Sequence, residues 1–181
     1  MANKPLPSPE VLRQLLSYDP ETGKLFWKER PATMFPSRRY AKVWNDRYAN
    51  SPACFSLHTS GYFYGCIWKT KVYAHRLAWA IYYGDWPNGI IDHHNGDPGD
   101  NRIHNLRIAT SSQNGFNRSA QKNSKSGIKG VSWRGDTRKW RAAISSRGEF
   151  HLLGHFDSQE EAKKAYAIAA KNLHGDYARV N

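Results

Sequence analysis

The sequence predicts an α+β protein built from small modules. Its 181 residues suit one ordinary domain or two small ones. Helical and strand patterns alternate in an N-terminal block, whereas three strand-like segments followed by one helix make up the C-terminal block. Residues 118–126 separate the blocks. They are basic and poor in apolar side chains, so we expect a linker that cannot fold alone.

Residues 1–72 are predicted to form an N-terminal α/β region. Ser8 is a favourable cap for a helix whose apolar stripe begins at Val11. Alternation of apolar and polar residues predicts a strand at 24–28 and a hairpin over 62–74, with a helix directly after it. The basic and aromatic stretch between the strand and the hairpin has no pattern to which an element can be assigned.

The segment 73–117 contains two short strands separated by a polar loop. Short apolar runs predict the strands at Ile90–His93 and Leu106–Ala109. The loop between them is dense in Asp, Asn and Gly, the residues typical of turns. Thr110–Gln113 fits a capping box, so a helix is expected to begin there with Asn114 in its first turn.

The segment 127–181 forms the C-terminal block. Alternating patterns predict strands at 129–134, 140–145 and 151–156. A second capping box at Ser158–Glu161 begins a helix. The apolar face of this helix is rich in Ala, which allows it to lie close to a sheet.

The charge of the chain points to a nucleic acid as partner. The chain has 27 Lys and Arg against 15 acids, a formal net charge of +12. Between Arg102 and Arg147 there are eleven basic residues and a single acid, Asp136. Such a local excess is typical of a surface that binds phosphates, and it favours this interpretation over a role in solubility alone.

Composition also excludes several classes of protein. The two cysteines, Cys54 and Cys66, form no C-x-x-C motif, which excludes a zinc ribbon and gives no support to a secreted disulfide framework. The N-terminus has no apolar signal core, and no stretch approaches membrane-spanning length. We therefore expect a cytoplasmic protein with no membrane partner.

Four residues of the central segment could together hydrolyse a phosphodiester bond. That reaction needs a base to deprotonate water, a cation to offset charge on the phosphate, and a group that holds the base in one tautomer. Asp92 and Asn114 offer the oxygen ligands preferred by Mg²⁺ or Mn²⁺. His93 titrates near neutrality and can act as the base, with His94 as a second candidate. Asn105 is the fourth residue of the set. The four residues at this spacing indicate a nuclease site more specifically than any one of them does alone.

The central segment resembles a known family. The motifs that carry the resemblance are Asp92–Asp97, Asp100–Arg102, Asn105–Arg107 and Gln113–Asn114. They are similar to those of the HNH endonucleases of phages and self-splicing introns, over residues 73–117. The resemblance implies a ββα-metal fold in which Asp92 and Asn114 bind the metal, His93 is the general base and Asn105 orients its ring. It also implies products with a 5′-phosphate and a 3′-hydroxyl.

This sequence departs from the family motif at one position. The motif ends in Asn114 where many members have His. A neutral amide is a weak ligand for softer metals, so the departure favours magnesium over zinc.

The C-terminal block resembles the DNA-binding domain of plant ethylene-response factors, of the apetala type. The motifs are Gly127–Val131, Lys139–Ala142, Leu153–Phe156, Glu160–Ala162 and His174–Gly175. The resemblance implies a three-stranded antiparallel sheet that lies in the major groove, with one helix packed behind it.

Strand alternation assigns the two faces of this sheet. The residues expected to face the helix are Trp140, Ala142 and Ile144, and those expected to face DNA are Arg141, Ala143 and Ser145. The DNA contacts expected from the block and the linker are Lys129, Arg134, Arg138, Lys139, Arg141, Arg118, Lys122 and Lys125. Arg and Lys can pair with guanine edges or bind phosphates.

The leading hypothesis is a site-specific endonuclease for double-stranded DNA, either a homing-type or a free-standing phage enzyme. In it the central module cuts, residues 127–181 select the site, and residues 1–72 add DNA contacts. The alternative is a sequence-specific DNA-binding regulator with an inactive HNH fold. An RNA-binding role is less favoured because the major groove of A-form RNA is too deep and narrow for a sheet. We expect a monomer or homodimer without an obligatory protein partner, in a bacterial or phage-infected host cell.

Overall fold

The computed structural model describes residues 6–121 and 123–179. The chain divides into two units, Met1–Ile108 and Ala109–Asn181. The N-terminal region and the two strands of the central segment therefore share the first unit. Residues 109–126, which include the predicted linker, group with the second unit.

Two three-stranded antiparallel sheets and three helices make up most of the first unit. In chain order the elements are α1 (Pro9–Leu15), β1 (Leu16–Asp19), β2 (Lys24–Trp27), α2 (Arg38–Tyr48), β3 (Pro52–Ala53), β4 (Ser56–Leu57), β5 (Phe63–Ile67), β6 (Thr70–Tyr73), α3 (Ala74–Tyr83), β7 (Ile90–His93) and β8 (Leu106–Ala109). The sheets have the strand orders β1-β2-β3 and β4-β5-β6, and β7 pairs with β8.

The main core of this unit lies where α1 and α3 pack against the two sheets. Its largest fully buried side chains are Leu12 on α1, Leu16 at the start of β1, Ile67 on β5 and Leu77 on α3. Removing each from water contributes about 1.5–3 kcal/mol. Ser8 caps α1 by accepting a hydrogen bond from the backbone of Val11, as the sequence predicts.

A second, smaller core holds β7 and β8 against α3. Ala78, Ile91 and Leu106 are buried together there. The strand residues of this cluster directly precede the polar residues of the central segment, so α3 positions the backbone that carries them.

One helix of the first unit was not predicted from the sequence. α2 lies within the stretch that has no assignable pattern, and it begins where Ser37 accepts a hydrogen bond from the backbone of Tyr40. Only Ala41 of this helix is buried, so there is no apolar stripe to reveal it. The predicted hairpin is confirmed as β5 and β6, with its turn at Trp68 and Lys69.

The second unit consists of a short helix, a sheet and a long helix. Its elements are α4 (Ser111–Phe116), β9 (Val131–Arg134), β10 (Lys139–Ser146), β11 (Glu149–Phe156) and α5 (Gln159–His174). The sheet is antiparallel with the order β11-β10-β9. Both predicted capping boxes are present, at Thr110 for α4 and at Ser158 for α5.

The Ala-rich face of α5 packs on this sheet. Ala162, Tyr166 and Ala170 meet Ala142 and Ile144 in the buried cluster, which confirms the predicted inward face of β10. Pairing shifts at a β-bulge between Ala142 and Ala143, and Ala143 is also buried, so simple alternation does not hold there.

Gly130 marks the closest approach of sheet and helix. Its φ is +71°, and a Cβ at this position would lie 2.2 Å from the Tyr166 ring. Only glycine fits this backbone without displacing the helix. Among the described residues, no helix has both the length and the apolar character needed to cross a membrane.

Candidate active site

Asp92, His93 and Asn105 come together at the end of the β7–β8 pair. All three are buried, each with about 4 % of its surface exposed. The backbone N–H of His94 donates to the Asn105 carbonyl oxygen at 2.8 Å, which closes the strand pair next to them. His94 itself is exposed, one residue past the strand.

The Asp92 carboxylate is paired with Arg107 of β8. The Nε and Nη2 atoms of Arg107 each lie 2.8 Å from Asp92 Oδ2, and both side chains are largely buried. A guanidinium held this way fixes the orientation of the carboxylate. The sequence does not predict Arg107 as a site residue, because only the pairing of β7 with β8 brings it to Asp92.

Asn101 contacts the His93 ring. Its Oδ1 atom lies 3.2 Å from His93 Nε2, and Asn101 is itself buried. Burial lowers the pKa of His93 from its usual value of 6.5, against the opposing effect of this hydrogen bond and of nearby carboxylates. The imidazole is therefore neutral near pH 7, the protonation state that a general base requires.

The side chain of Asn105 organises the loop that carries Asn101. Asn105 Nδ2 donates to Asn95 Oδ1 at 3.1 Å and to the Asp100 carbonyl at 2.8 Å, and its Oδ1 accepts from the Asn95 backbone at 2.9 Å. The sequence predicts that Asn105 orients the His93 ring. The described contacts place Asn101 at the ring and bond Asn105 to the loop that carries Asn101. That Asn105 orients the ring stays a prediction.

Asp100 stabilises the same loop through charge. Its carboxylate accepts from Arg102 Nε at 2.8 Å and from Asn95 Nδ2 at 2.7 Å. The hydrogen bond from Arg102 is the main reason that the pKa of Asp100 falls to about 2. The Asp100 carboxyl is thus ionised at neutral pH, and Asn101 follows it directly in the chain.

An aromatic wall backs the His93 ring. His75, near the start of α3, meets it edge-on with ring centroids 5.3 Å apart, and Tyr73 stacks on His75 at 5.6 Å. Tyr62 contacts both imidazoles, at 5.1 Å and 5.6 Å. His75 is 8 % exposed, and its Nδ1 atom is buried without a hydrogen-bond partner among the described residues.

The protonation of His75 is suppressed by its surroundings. Burial, followed by the neighbouring His93, lowers the pKa of His75 to about 3. His75 is thus a neutral, largely apolar support for His93.

Asn114 lies in the first part of α4, in the second unit. The capping box that precedes it is complete, since Thr110 accepts from the Gln113 backbone at 3.2 Å and Gln113 Oε1 accepts from the Thr110 backbone at 2.8 Å. The helix start is therefore where the sequence predicts it. That Asn114 converges on Asp92 stays a prediction.

The donors available for a metal are oxygen atoms. Within residues 6–121 and 123–179 there is no group of three or more His, Cys, Asp or Glu that could hold an ion. Carboxylate and amide oxygens are ligands that suit a hard cation such as Mg²⁺. They do not fit a closed zinc site.

Several of the predicted DNA contacts have partners within the second unit. Lys129 Nζ donates to the carbonyl oxygens of Gly115 and Phe116 at 3.0 Å and 2.6 Å, and burial lowers the pKa of Lys129 to about 8. Its ammonium therefore holds the C-terminal end of α4. Arg134 pairs with Asp136 and Lys139 with Asp157, each at 3.1 Å. Both pairs are exposed, so salt can screen them and a phosphate can take the place of the carboxylate.

The remaining predicted contacts differ in exposure. Arg118, Lys125 and Arg138 are exposed, whereas Arg141 is partly buried, with an Nε atom that has no hydrogen-bond partner among the described residues. Lys122 lies outside the described residues. The exposed set is thus available for a polyanion.

Comparison with known proteins assigns the family. Residues 72–116, from the end of β6 to the end of α4, match the family described as HNH endonuclease. Protein 3.8 of Escherichia phage T7 is 33 % identical over 106 residues, which are 58 % of this chain and 87 % of the phage protein. The chain belongs to the family of phage T7 Protein 3.8, and it carries an HNH endonuclease domain.

A second relative supports the HNH assignment. A protein of Acanthamoeba polyphaga mimivirus, named as an uncharacterized HNH endonuclease, is 31 % identical over 113 residues. These are 61 % of this chain, and the chain covers 58 % of the length of the mimivirus protein. No solved structure matches the chain. The HNH match ends at residue 116, so the resemblance of residues 127–181 to ethylene-response factors stays a prediction.

Proposed function

We propose that this HNH protein is a site-specific endonuclease that hydrolyses phosphodiester bonds of double-stranded DNA. The observation that carries the proposal is the buried Asp92–His93 pair, with the imidazole held by Asn101 and backed by His75. Homing-type and free-standing phage enzymes both fit this site. The products are a 5′-phosphate and a 3′-hydroxyl.

His93 takes the proton from water in this proposal. A neutral ring whose Nε2–H donates to Asn101 Oδ1 would accept the proton of water at Nδ1. The aromatic wall excludes water from one side of the ring, and Asn105 keeps the Asn101 loop in place. The attacking oxygen then forms its bond to phosphorus as the bond to the 3′-oxygen breaks.

Asp92 and Asn114 would hold a divalent cation, Mg²⁺ or Mn²⁺. Such an ion supplies positive charge that offsets the negative charge developing on the phosphate and the leaving oxygen. Arg107 orients the Asp92 carboxylate for that role.

The second unit selects the site in this proposal. Its sheet would enter the major groove as in the ethylene-response-factor type, with Arg134, Lys139 and Arg141 on the DNA side. Arg118, Lys125 and Arg138 are exposed and would bind phosphates. Affinity should therefore fall steeply with salt.

Nicking of supercoiled plasmid in the presence of Mg²⁺ tests the proposal. The wild-type chain is expected to nick, and His93→Ala is expected to lose that activity because no base remains. His104→Ala, at an exposed histidine near the site, serves as the matched control and should nick like the wild type. Equal nicking by all three proteins would refute the assignment.

One observation favours the second candidate, a DNA-binding regulator. The Asp92 carboxylate is already engaged by Arg107, as in a site that never takes up metal. Site-specific binding of duplex DNA with no cleavage at any Mg²⁺ or Mn²⁺ concentration would support that function.

A further inference from the structure

The helix α2 presents an unusually basic surface. Four of its eleven residues are basic and exposed, namely Arg38, Arg39, Lys42 and Arg47. The only acid in the helix, Asp46, pairs with Lys42 at 2.9 Å. Tyr40 and Val43 are 65 % and 59 % exposed on the same helix. Solubility alone does not require exposed apolar residues among so many cations.

The helix is attached to the first unit on one side, where Ala41 is buried, Asn45 exchanges two hydrogen bonds with the backbone of Arg30, and Trp44 packs among aromatic rings. Trp44 contacts Trp27, Phe35 and Tyr48, with ring centroids 5.4–5.8 Å apart. Arg30 lies over the Trp44 ring at 3.9 Å from its centroid. The attachment leaves the basic side of the helix uncovered by the rest of its unit.

A cleft of about 370 Å³ separates α2 from the β5–β6 turn. Its walls are mostly aromatic, formed by Trp27, Trp44, Tyr48 and Trp68, and Arg30 lines it as well. The Nε atom of Arg30 is buried and has no hydrogen-bond partner among the described residues. The cleft therefore combines flat apolar walls with an unused N–H donor.

Trp68 forms the exposed wall of this cleft. Its side chain is 56 % exposed at the tip of the β5–β6 hairpin. Both turn residues have left-handed backbone conformations, with φ of 49° at Trp68 and 67° at Lys69. Such turns favour Asn and Gly, so a Trp here is costly to folding and is typical of a position kept for binding.

We infer that the first unit binds a DNA strand on this surface, which we call the α2 surface and define as Arg38, Arg39, Lys42, Arg47 and Trp68. The basic side chains bind consecutive phosphates, and the Trp68 ring stacks on an unpaired base beside them. A polyanion with flat rings is the ligand that matches cations next to an aromatic cleft. This inference rests on the proposed function for its choice of DNA.

Fluorescence anisotropy of the full-length chain tests the α2 surface. Binding is measured in EDTA, so that no cleavage occurs, on a labelled duplex and on the same duplex with a short single-stranded gap. Arg38→Gln/Arg39→Gln should lower the slope of log affinity against log salt by about two, since each lost phosphate contact contributes about 0.9. Lys164→Gln/Lys171→Gln, which removes the same charge from exposed positions of α5, should leave the slope unchanged.

The stacking contact is tested by a pair of variants at one position. Trp68→Leu should lose roughly tenfold in affinity for the gapped duplex and much less for the intact duplex, because only an unpaired base offers its face. Trp68→Phe keeps a flat ring and should retain binding to the gapped duplex. Circular dichroism confirms that each variant is folded.

The outcomes separate this inference from the proposed function. Wild-type protein that binds and nicks DNA, with α2 variants that match the α5 control, overturns the α2 surface alone. Equal loss by Trp68→Leu and Trp68→Phe on both probes overturns the stacking contact. Absence of any DNA binding by the wild type contradicts the proposed function and the α2 surface together.

Discussion

At the scale of single residues, the site depends on contacts between residues that are well separated in the sequence. Arg107 reaches Asp92 across a strand pair, and Asn101 reaches His93 from a loop. The sequence predicts Asp92 and His93 because the chemistry requires an acid beside a base. It does not predict their partners, since an Arg and an Asn in a polar segment have many possible roles.

The ion pair between Arg107 and Asp92 gives a first prediction at this scale. Arg107→Gln leaves a buried carboxylate without its counter-charge, so the unfolding free energy should fall by about 3–5 kcal/mol. Urea denaturation of the metal-free protein measures it. Lys42→Gln removes an exposed pair and should leave stability nearly unchanged; an equally small effect for Arg107→Gln would mean that the pair is not formed in solution.

Elements with local signals were predicted well. The Ser8 cap, the two capping boxes and the hairpin are encoded within a few residues each, and the structure has all of them. α2 is not predicted because it has no apolar stripe; Ala41, Trp44 and Asn45 hold it through tertiary contacts. The inward face of β10 follows from alternation, whereas the bulge next to Ala143 depends on tertiary packing.

The contact between β9 and α5 gives a prediction at the scale of elements. Gly130→Ala requires a Cβ in a left-handed backbone and against the Tyr166 ring, so it should lower the unfolding free energy by more than about 1 kcal/mol. Chemical denaturation measures the change. Gly135→Ala is the matched control, because nothing lies within 4 Å of its new Cβ; the same loss in both variants would contradict the packing described.

At the scale of the whole molecule, two small units divide the proposed work. The first contains Asp92 and His93, and the second contains Asn114 and the basic sheet. From charge and motifs, the sequence predicts that the central segment cuts DNA and that the C-terminal block selects the site. It placed the boundary near residue 117, whereas the backbone contacts group residues 109–126 with the second unit.

Stability of the whole chain should depend on pH through His75. An unfolded histidine has a pKa near 6.5, and burial lowers that of His75 to about 3. Between these values only the unfolded chain binds the proton, so the unfolding free energy falls as pH decreases from about 6.5 towards 3, by at most about 1.4 kcal/mol per pH unit. Thermal unfolding in EDTA across this range measures it.

A pair of variants isolates the contribution of His75. His75→Phe keeps a flat ring without a titrating group, so its stability should decline less steeply with acid than that of the wild type. His155→Gln changes an exposed histidine of β11 and should decline like the wild type. Parallel curves for His75→Phe and the wild type would show that His75 is not buried and neutral in the folded protein.

The proposal to be tested is that Asp92 and Asn114 are ligands of the catalytic cation and that His93 is the base. Plasmid nicking across a Mg²⁺ titration tests it most directly, with wild type, Asp92→Asn, Asn114→Ala and the exposed control Asp97→Asn. We predict no nicking by Asp92→Asn, a half-maximal Mg²⁺ concentration raised at least roughly tenfold in Asn114→Ala, and wild-type behaviour for the control. Nicking in EDTA, or an Asn114→Ala titration that overlays the wild type, would contradict the claim.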